Sequence, residues 1–151
     1  KISKIWPLLA NSNKNPNDIK RLNHIGTHPV HTDLAINNSI DYLEWIGIKR
    51  KEKRLKYIKS YWVKRLKNIK NIIINTPFEE HRSCGIGNIG VKNIPPDKLA
   101  NILMKKYKIF TVAINEGNVK GCRISPNIFT NIAELDKFVD SMVSISKGNL
   151  S

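Results

Sequence analysis

Apolar residues recur every three or four positions in several segments of the chain, which is the spacing of helices with one buried face. The longest such segment, residues 49–69, carries basic residues on its other faces. Its apolar stripe consists of Leu55, Ile58, Trp62, Leu66 and Ile69. A shorter helix is predicted for about residues 32–46, because apolar residues recur there and Gly47 is suited to end it.

Two further helices are marked by the residues at which they begin. Pro95 and Pro96 favour a helix start, since proline is tolerated in the first turn, and apolar residues follow at helical spacing. Asn131 and Glu134 have the spacing of a capping box, in which each side chain accepts a hydrogen bond from the other residue's backbone. The last helix is therefore expected directly after Asn131.

Short segments rich in β-branched residues predict strands between these helices. They cover residues 71–75, 84–91, 109–114 and 119–124, and a turn at Gly117 separates the last two. The order is then helix, helix, strand, strand, helix, strand, strand, helix. This order predicts an α+β domain with a small, largely antiparallel sheet covered by helices.

The charge of the chain is concentrated in one place. The formal net charge is +14, and residues 49–70 contain eleven Lys or Arg residues against a single acid, Glu52. A nucleic-acid-binding domain is therefore one hypothesis. It is disfavoured because no aromatic residues are interleaved with the charges as single-strand binding requires, so a solvated helix face is expected instead.

Several other classes of protein lack support in the sequence. No run approaches the ~18 apolar residues of a membrane-spanning helix. Cys84 and Cys122 form no CxxC motif, which favours a reduced compartment such as the cytoplasm. The apolar stretch at the start of the chain has no obvious partner, which suggests a fragment of a longer protein, so any targeting signal would lie outside this chain.

Gly85, Gly87 and Gly90 spell the GxGxxG pattern of dinucleotide-binding loops. That mechanism requires a helix directly after the loop, so that its N-terminus faces the pyrophosphate. Residues 91–96 contain two prolines and start no helix at the required place. Dinucleotide binding is therefore not predicted.

His24, His28 and His31 have the spacing of metal ligands on a helix. Gly26 and Pro29 interrupt any helix that would align them, and no carboxylate or cysteine lies at a recognised metal spacing. Loop histidines without a metal are the expected interpretation.

Arg123, in the segment GCRISP, lies at the end of a predicted strand. One interpretation is a surface ion pair, which contributes little to stability. The other is a site for a substrate carboxylate, since a guanidinium presents two parallel donors to one carboxylate. Spacing along the chain does not decide between them.

Taken together, several segments resemble one protein family in their order along the chain. They are RLNHIGTHP, YWVKRL at the end of the basic helix, SCGIGNIGV, KYKIFTVAI and CRISPNIFTNIAELDKFV. This set resembles the C-terminal portion of class V aminotransferases, with the greatest likeness to the isopenicillin N epimerase-like branch. The resemblance covers nearly the whole chain.

The resemblance implies a fold-type I pyridoxal-phosphate enzyme that acts on an amino acid by transamination or epimerase-like chemistry. Such enzymes are dimers with a large cofactor domain and a small C-terminal domain. Residues 1–48 would be the end of the large domain, residues 49–69 a connecting basic helix, and residues 70–151 the small domain. The expected partner is a second copy of the complete enzyme or a separately encoded large domain.

The resemblance also implies roles for individual residues. Thr27 would donate a hydrogen bond to the cofactor phosphate, in the neighbouring subunit's site, and Gly26 would permit close backbone approach. Arg123 would hold the α-carboxylate of the substrate. Phe129 stands where the family often has tyrosine, so no chemistry is assigned to it.

None of the lysines lies in the family's cofactor-lysine motif, which would precede the matched region. No catalytic residue is therefore assigned within this chain, and it is expected to be inactive by itself. The alternative is a non-catalytic remnant or an association module.

Overall fold

The computed structural model describes residues 1–7, 15–23, 26–27 and 29–149. The chain divides into two compact units, Lys1–Leu43 and Glu44–Ser151. Within the described residues, no helix is both long and apolar enough to cross a membrane.

The first unit contains short 3-10 helices at Ile2–Lys4 and Ile19–Leu22, followed by helix α1, Val30–Ile46, which continues into the second unit. Helix α1 begins two residues before the predicted start and has no buried residue. Gly47 follows it with a φ of +86°, a conformation that favours glycine and that ends the helix as predicted.

In the described residues, the second unit contains the sheet, a short 3-10 helix at Glu80–Arg82 and three complete α-helices. The helices are α2, Ile48–Leu66; α3, Pro96–Tyr107; and α4, Ile132–Ser146. The strands are β1, Ile72–Ile74; β2, Gly87–Val91; β3, Val112–Glu116; and β4, Val119–Ile124. They form a four-stranded sheet in the order β1-β2-β4-β3, in which every neighbouring pair is antiparallel. The predicted α+β class is confirmed.

The core lies between one face of this sheet and the helices. Side chains alternate along a strand, so Ile89 in β2 and its cross-strand neighbour Cys122 in β4 both point into the core. The helices contribute most of the remaining buried residues: Ile58, Trp62, Val63, Leu66, Leu99, Leu103, Leu135, Phe138, Val139, Met142 and Ile145. The stripe predicted for the basic helix therefore supplies core residues.

Trp62 is the largest fully buried side chain, and it packs directly on the sheet. A Cβ atom added at Gly87 would lie 2.5 Å from Trp62 Cζ2, so the indole ring occupies the space that a larger residue would need. The ring of Phe138 meets the indole edge-on at a centroid distance of 5.7 Å. Gly87 therefore serves packing within β2, and the next helix begins only at Pro96.

Several predicted boundaries were wrong, and three of them differ by three residues. Helix α2 ends at Leu66 and not at Ile69, whose backbone N–H donates to the Leu66 carbonyl at 3.0 Å in a closing turn. Strand β2 begins at Gly87 rather than at residue 84. Strand β3 begins at Val112 rather than at residue 109, because Lys108 adopts a left-handed φ of 59° and Ile109 N–H donates to the Leu103 carbonyl, which closes helix α3.

Helices α2 and α4 are joined by a polar cluster on the surface. Tyr61 Oη donates to Asp136 Oδ1 at 2.7 Å, and Arg65 forms an ion pair with the same carboxylate. The hydrogen bond from Tyr61 and the Arg65 charge lower the pKa of Asp136, and the Asp136 carboxylate raises the pKa of Tyr61.

We expect Asp136→Asn to lower the Tm at neutral pH, because the ionised carboxylate is stabilised in the folded chain. A lowered folded pKa means that this stabilisation is complete above the unfolded pKa of about 4 and is lost as the pH falls through the folded pKa. In thermal unfolding measured across that pH range, the difference in Tm between parent and variant should therefore decrease as the pH falls. Asp140→Asn, an exposed change on the same helix, is the matched control. A difference that persists at the lowest pH would contradict this assignment.

Candidate functional site

Arg123 projects from the sheet face opposite the core. Its chain neighbours Cys122 and Ile124 are buried, whereas Arg123 itself is exposed, as strand alternation requires. Its cross-strand neighbours are Asn88 in β2 and Val112 in β3. Among the described residues, the guanidinium group has neither an ion pair nor a hydrogen bond. The two parallel N–H donors of the guanidinium are therefore available to a carboxylate that does not belong to the described residues.

Asn88, beside Arg123, is held in place by its neighbours. Asn75 Nδ2 donates to Asn88 Oδ1 at 2.7 Å and to the Lys120 carbonyl at 3.1 Å. The Asn88 backbone N–H donates to Thr76 Oγ1 at 2.6 Å. Since the side-chain oxygen of Asn88, Oδ1, accepts from Asn75 Nδ2, the side-chain NH2 group of Asn88 is left as a donor next to Arg123.

Gly121 explains why the Asn88 side chain can lie flat on this face. A Cβ atom at Gly121 would lie 2.6 Å from Asn88 Oδ1, so any side chain there would displace the amide. Sequence analysis missed Asn88. The available signal was a single polar residue within the otherwise apolar segment GNIGV.

The loop that follows Arg123 is fixed by Arg54 of helix α2. Arg54 Nε donates to the Ile128 carbonyl at 3.2 Å, and Nη2 donates to the Thr130 carbonyl at 2.9 Å. The Thr130 hydroxyl also accepts from the Asn127 N–H at 3.0 Å. The Asn131 and Glu134 capping box then starts α4 as predicted, with bonds of 2.8 and 2.9 Å. The segment after Arg123 is thus anchored at both ends.

A cavity of about 310 Å³ lies next to this segment. It is lined by residues 108–111, which precede β3, by Ile124, Ser125 and Pro126, by Thr130, and by the first turns of α4. Phe110, at its edge, is 79% exposed. The described chain therefore has an open concave surface at the end of the strand that carries Arg123.

Gly26 and Thr27 belong to the first unit, whereas Arg123 belongs to the second. Both residues are exposed, and Gly26 has a φ of +148°, which side chains rarely adopt. Helix α1 begins three residues after Thr27, so the positive end of its dipole lies close by along the chain. An exposed hydroxyl after a glycine in this conformation fits a contact with a phosphate group.

The metal hypothesis concerns residues that are only partly described. His24 and His28 lie outside the described residues, and His31 is in the first turn of α1. Among the residues that are described, no group of three His, Cys, Asp or Glu side chains could hold a metal ion.

Cys122 is not suited to act as a nucleophile. It is fully buried, and its Sγ donates to the Pro96 carbonyl at 3.5 Å. Burial raises the pKa of the Cys122 thiol, which keeps it in the protonated, unreactive form.

The sequence matches the aminotransferase class-V family over residues 10–138, which is most of the chain. The chain therefore belongs to the class-V aminotransferase family, whose members depend on pyridoxal phosphate. No protein of curated function matches the sequence significantly.

Solved structures show the same fold. The apo structure of a cysteine desulfurase from Thermococcus onnurineus NA1 matches with a TM-score of 0.73 at 19% identity, over 85% of this chain and 34% of that chain. A NifS-like protein matches with a TM-score of 0.71 at 20% identity, over 95% of this chain and 39% of that chain. The present chain thus spans little more than a third of these proteins. At these identities the likeness establishes the fold, which is the predicted fold-type I arrangement.

Proposed function

We propose that this chain supplies the substrate-carboxylate site of a pyridoxal-phosphate-dependent transferase that acts on an amino acid. The observation that carries the proposal is Arg123, an exposed arginine without a partner among the described residues, on the open sheet face of a class-V aminotransferase chain. A guanidinium in that state is suited to bind the α-carboxylate through two parallel hydrogen bonds.

The neighbouring residues would orient this contact. Asn88 adds a neutral donor beside the guanidinium, and its position is set by Asn75 and Gly121. Arg54 holds the loop after Arg123 through two hydrogen bonds. The end of β4, which carries Arg123, therefore stays in place when a substrate binds. The cofactor, when bound, supplies the electron withdrawal that activates the substrate's α-carbon. The residues described here bind and orient the substrate.

The division of the chain follows from the same proposal. Residues 1–48 would be the last part of the large cofactor domain, residues 49–69 the connecting helix, and residues 70–151 the small domain. The complete enzyme would be a homodimer or a pairing with a separately encoded large domain. The ordered segments that end in CRISPNIFTNIAELDKFV support the isopenicillin N epimerase-like branch, with transamination or epimerase-like chemistry.

The position of the lysine that binds the cofactor covalently provides a test of the whole proposal. We expect the 151-residue chain alone to bind pyridoxal phosphate only through slow, scattered lysine modification, because none of its lysines lies in the family's motif. Borohydride reduction followed by peptide mapping measures this. The complete enzyme should give one stoichiometrically labelled lysine outside residues 1–151. A single stoichiometric label within this chain would contradict the proposal.

Thr27 is proposed to contact the cofactor phosphate of the neighbouring subunit. In the complete enzyme, Thr27→Ala should weaken cofactor retention by about 1.5–3 kcal/mol, the value of one hydrogen bond to a charged group. Equilibrium dialysis against pyridoxal phosphate measures the loss. Thr32→Ala, an exposed change in the first turns of α1, is a suitable control.

A subunit-mixing experiment decides whether Thr27 acts across the interface. Thr27→Ala enzyme is mixed with a variant whose cofactor lysine is replaced, so that a heterodimer contains one site with both residues intact. Activity should recover in the mixture. No recovery despite demonstrated subunit exchange would place Thr27 in its own subunit's site or outside any site.

A further inference from the structure

Lys59 is a buried lysine that forms no ion pair with an acid among the described residues. It lies in helix α2 and is only 3% exposed. Its Nζ donates a hydrogen bond to Ser83 Oγ, and the Ser83 hydroxyl in turn donates to the Pro77 carbonyl at 3.1 Å. Among the described residues, no carboxylate pairs with this ammonium group.

Within the described part of the chain, this arrangement gives Lys59 Nζ a hydrogen bond to one acceptor, Ser83 Oγ. An ammonium group has three N–H donors, and Ser83 accepts one of them. A buried charge is costly unless it is paired and hydrogen-bonded. The surroundings of Lys59 therefore favour a bound ligand that is negatively charged and accepts hydrogen bonds.

Lys59 lines a cavity of about 310 Å³ that has the matching composition. Its described lining residues are Lys59, Ser60, Val63, Lys64, Lys67 and Phe78, which include three lysines and no acid. Lys59 and Val63 share one face of helix α2, and Lys67, the C-cap residue that keeps helical backbone angles, continues this face four residues further on. Phe78 covers this face from the loop after β1 and is 57% exposed.

Two acids whose side chains are described, Glu79 and Glu52, pair with residues outside this cluster. Glu79 follows Phe78 in the chain, but its carboxylate accepts from Arg82 Nη1 at 3.4 Å. Glu52, at the other end of the helix, pairs with Lys56 at 2.6 Å. Among the described residues, Lys64 and Lys67 have no ion-pair partner.

We infer that this cavity binds the phosphate group of a small organic phosphate. A phosphate monoester carries nearly two negative charges and three terminal oxygens, which match three ammonium donors better than one carboxylate does. The Ser60 hydroxyl lies within the same lining, and Val63 and Phe78 provide an apolar wall for the organic part of the ligand. This site is independent of Arg123 and of the proposed transferase activity.

Phenyl phosphate is the first probe, because it joins a phosphate to an aromatic ring. Titration of the 151-residue chain by isothermal calorimetry should give a Kd of about 1 mM or tighter at low salt. The double change Lys64→Gln and Lys67→Gln removes two exposed donors and should weaken binding at least about tenfold. The double change Lys49→Gln and Lys53→Gln removes the same charge elsewhere on the helix and should alter the Kd less than about twofold.

Further variants separate the two parts of the site. Lys59→Met keeps the apolar stem and should remove binding of both phenyl phosphate and inorganic phosphate. Phe78→Ala should weaken phenyl phosphate binding and leave inorganic phosphate unchanged. Equal weakening by the two double variants would show general attraction to a basic helix, such as a nucleic acid would experience, and would overturn the inference. Absence of binding to either probe would overturn it as well.

Discussion

Replacing Trp62 by alanine should lower the free energy of unfolding by about 3–5 kcal/mol, the cost of removing a large aromatic side chain from a packed core. Trp62 is fully buried, fills the space above Gly87 and meets Phe138 edge-on. Its Nε1–H has no hydrogen-bond partner among the described residues, so its stabilisation comes from packing alone. Urea denaturation of the 151-residue chain measures the change.

An exposed aromatic residue provides the control for this prediction. Phe110→Ala removes a side chain that is 79% exposed and should change the free energy of unfolding by less than about 1 kcal/mol. Similar losses for the two variants would mean that Trp62 does not occupy the core position described here. The m-value should be unchanged in both, since neither variant alters the surface exposed on unfolding by much.

Replacing Arg123 should impair the complete enzyme more than any other change on the open sheet face. Arg123→Ala should reduce kcat/KM by an amount equivalent to about 2–5 kcal/mol, because the substrate carboxylate would be left without its charged partner. Arg123→Lys keeps the charge but loses the planar pair of donors, so it should still cost about 1.5–3 kcal/mol. Steady-state kinetics with the amino-acid substrate measure both.

Cofactor content distinguishes a lost substrate contact from a damaged fold. Both Arg123 variants should retain the parent's pyridoxal-phosphate content, because Arg123 is assigned to the substrate and not to the cofactor. Arg82→Lys, an exposed change whose partner is Glu79, should leave the kinetics unchanged. Unaltered kinetics in Arg123→Lys would mean that Arg123 does not bind the substrate carboxylate and is an ordinary surface residue.

Periodicity and capping predicted much of the second unit. The apolar stripe of α2 supplied core residues, the capping box at Asn131 marked the start of α4, and the bounds of β4 were correct. These features depend on residues within a few positions of each other, which is why the local sequence contains them. The wrong start of β3 has a different origin, since the left-handed Lys108 is a lysine in a position that usually favours glycine.

Features that depend on distant segments were not predictable in the same way. Lys59 belongs to a run of basic residues that favours a solvated face, yet the loop that contains Ser83 buries it. Asn88 becomes part of the candidate site only because antiparallel pairing places it beside Arg123. The close fit of Trp62 over Gly87 likewise joins residues of two elements. Tertiary packing, which sequence spacing does not encode, determines all three.

The most direct test of the central claim removes the substrate's carboxylate. In the complete enzyme, dissociation constants for the amino-acid substrate and for the amine that lacks only the carboxylate are measured with parent and Arg123→Ala protein. If Arg123 binds the carboxylate, the parent should strongly prefer the amino acid, and the variant should lose about 2–5 kcal/mol of that preference. An equal preference in the two proteins would show that another residue binds the carboxylate and would contradict the role assigned to this chain.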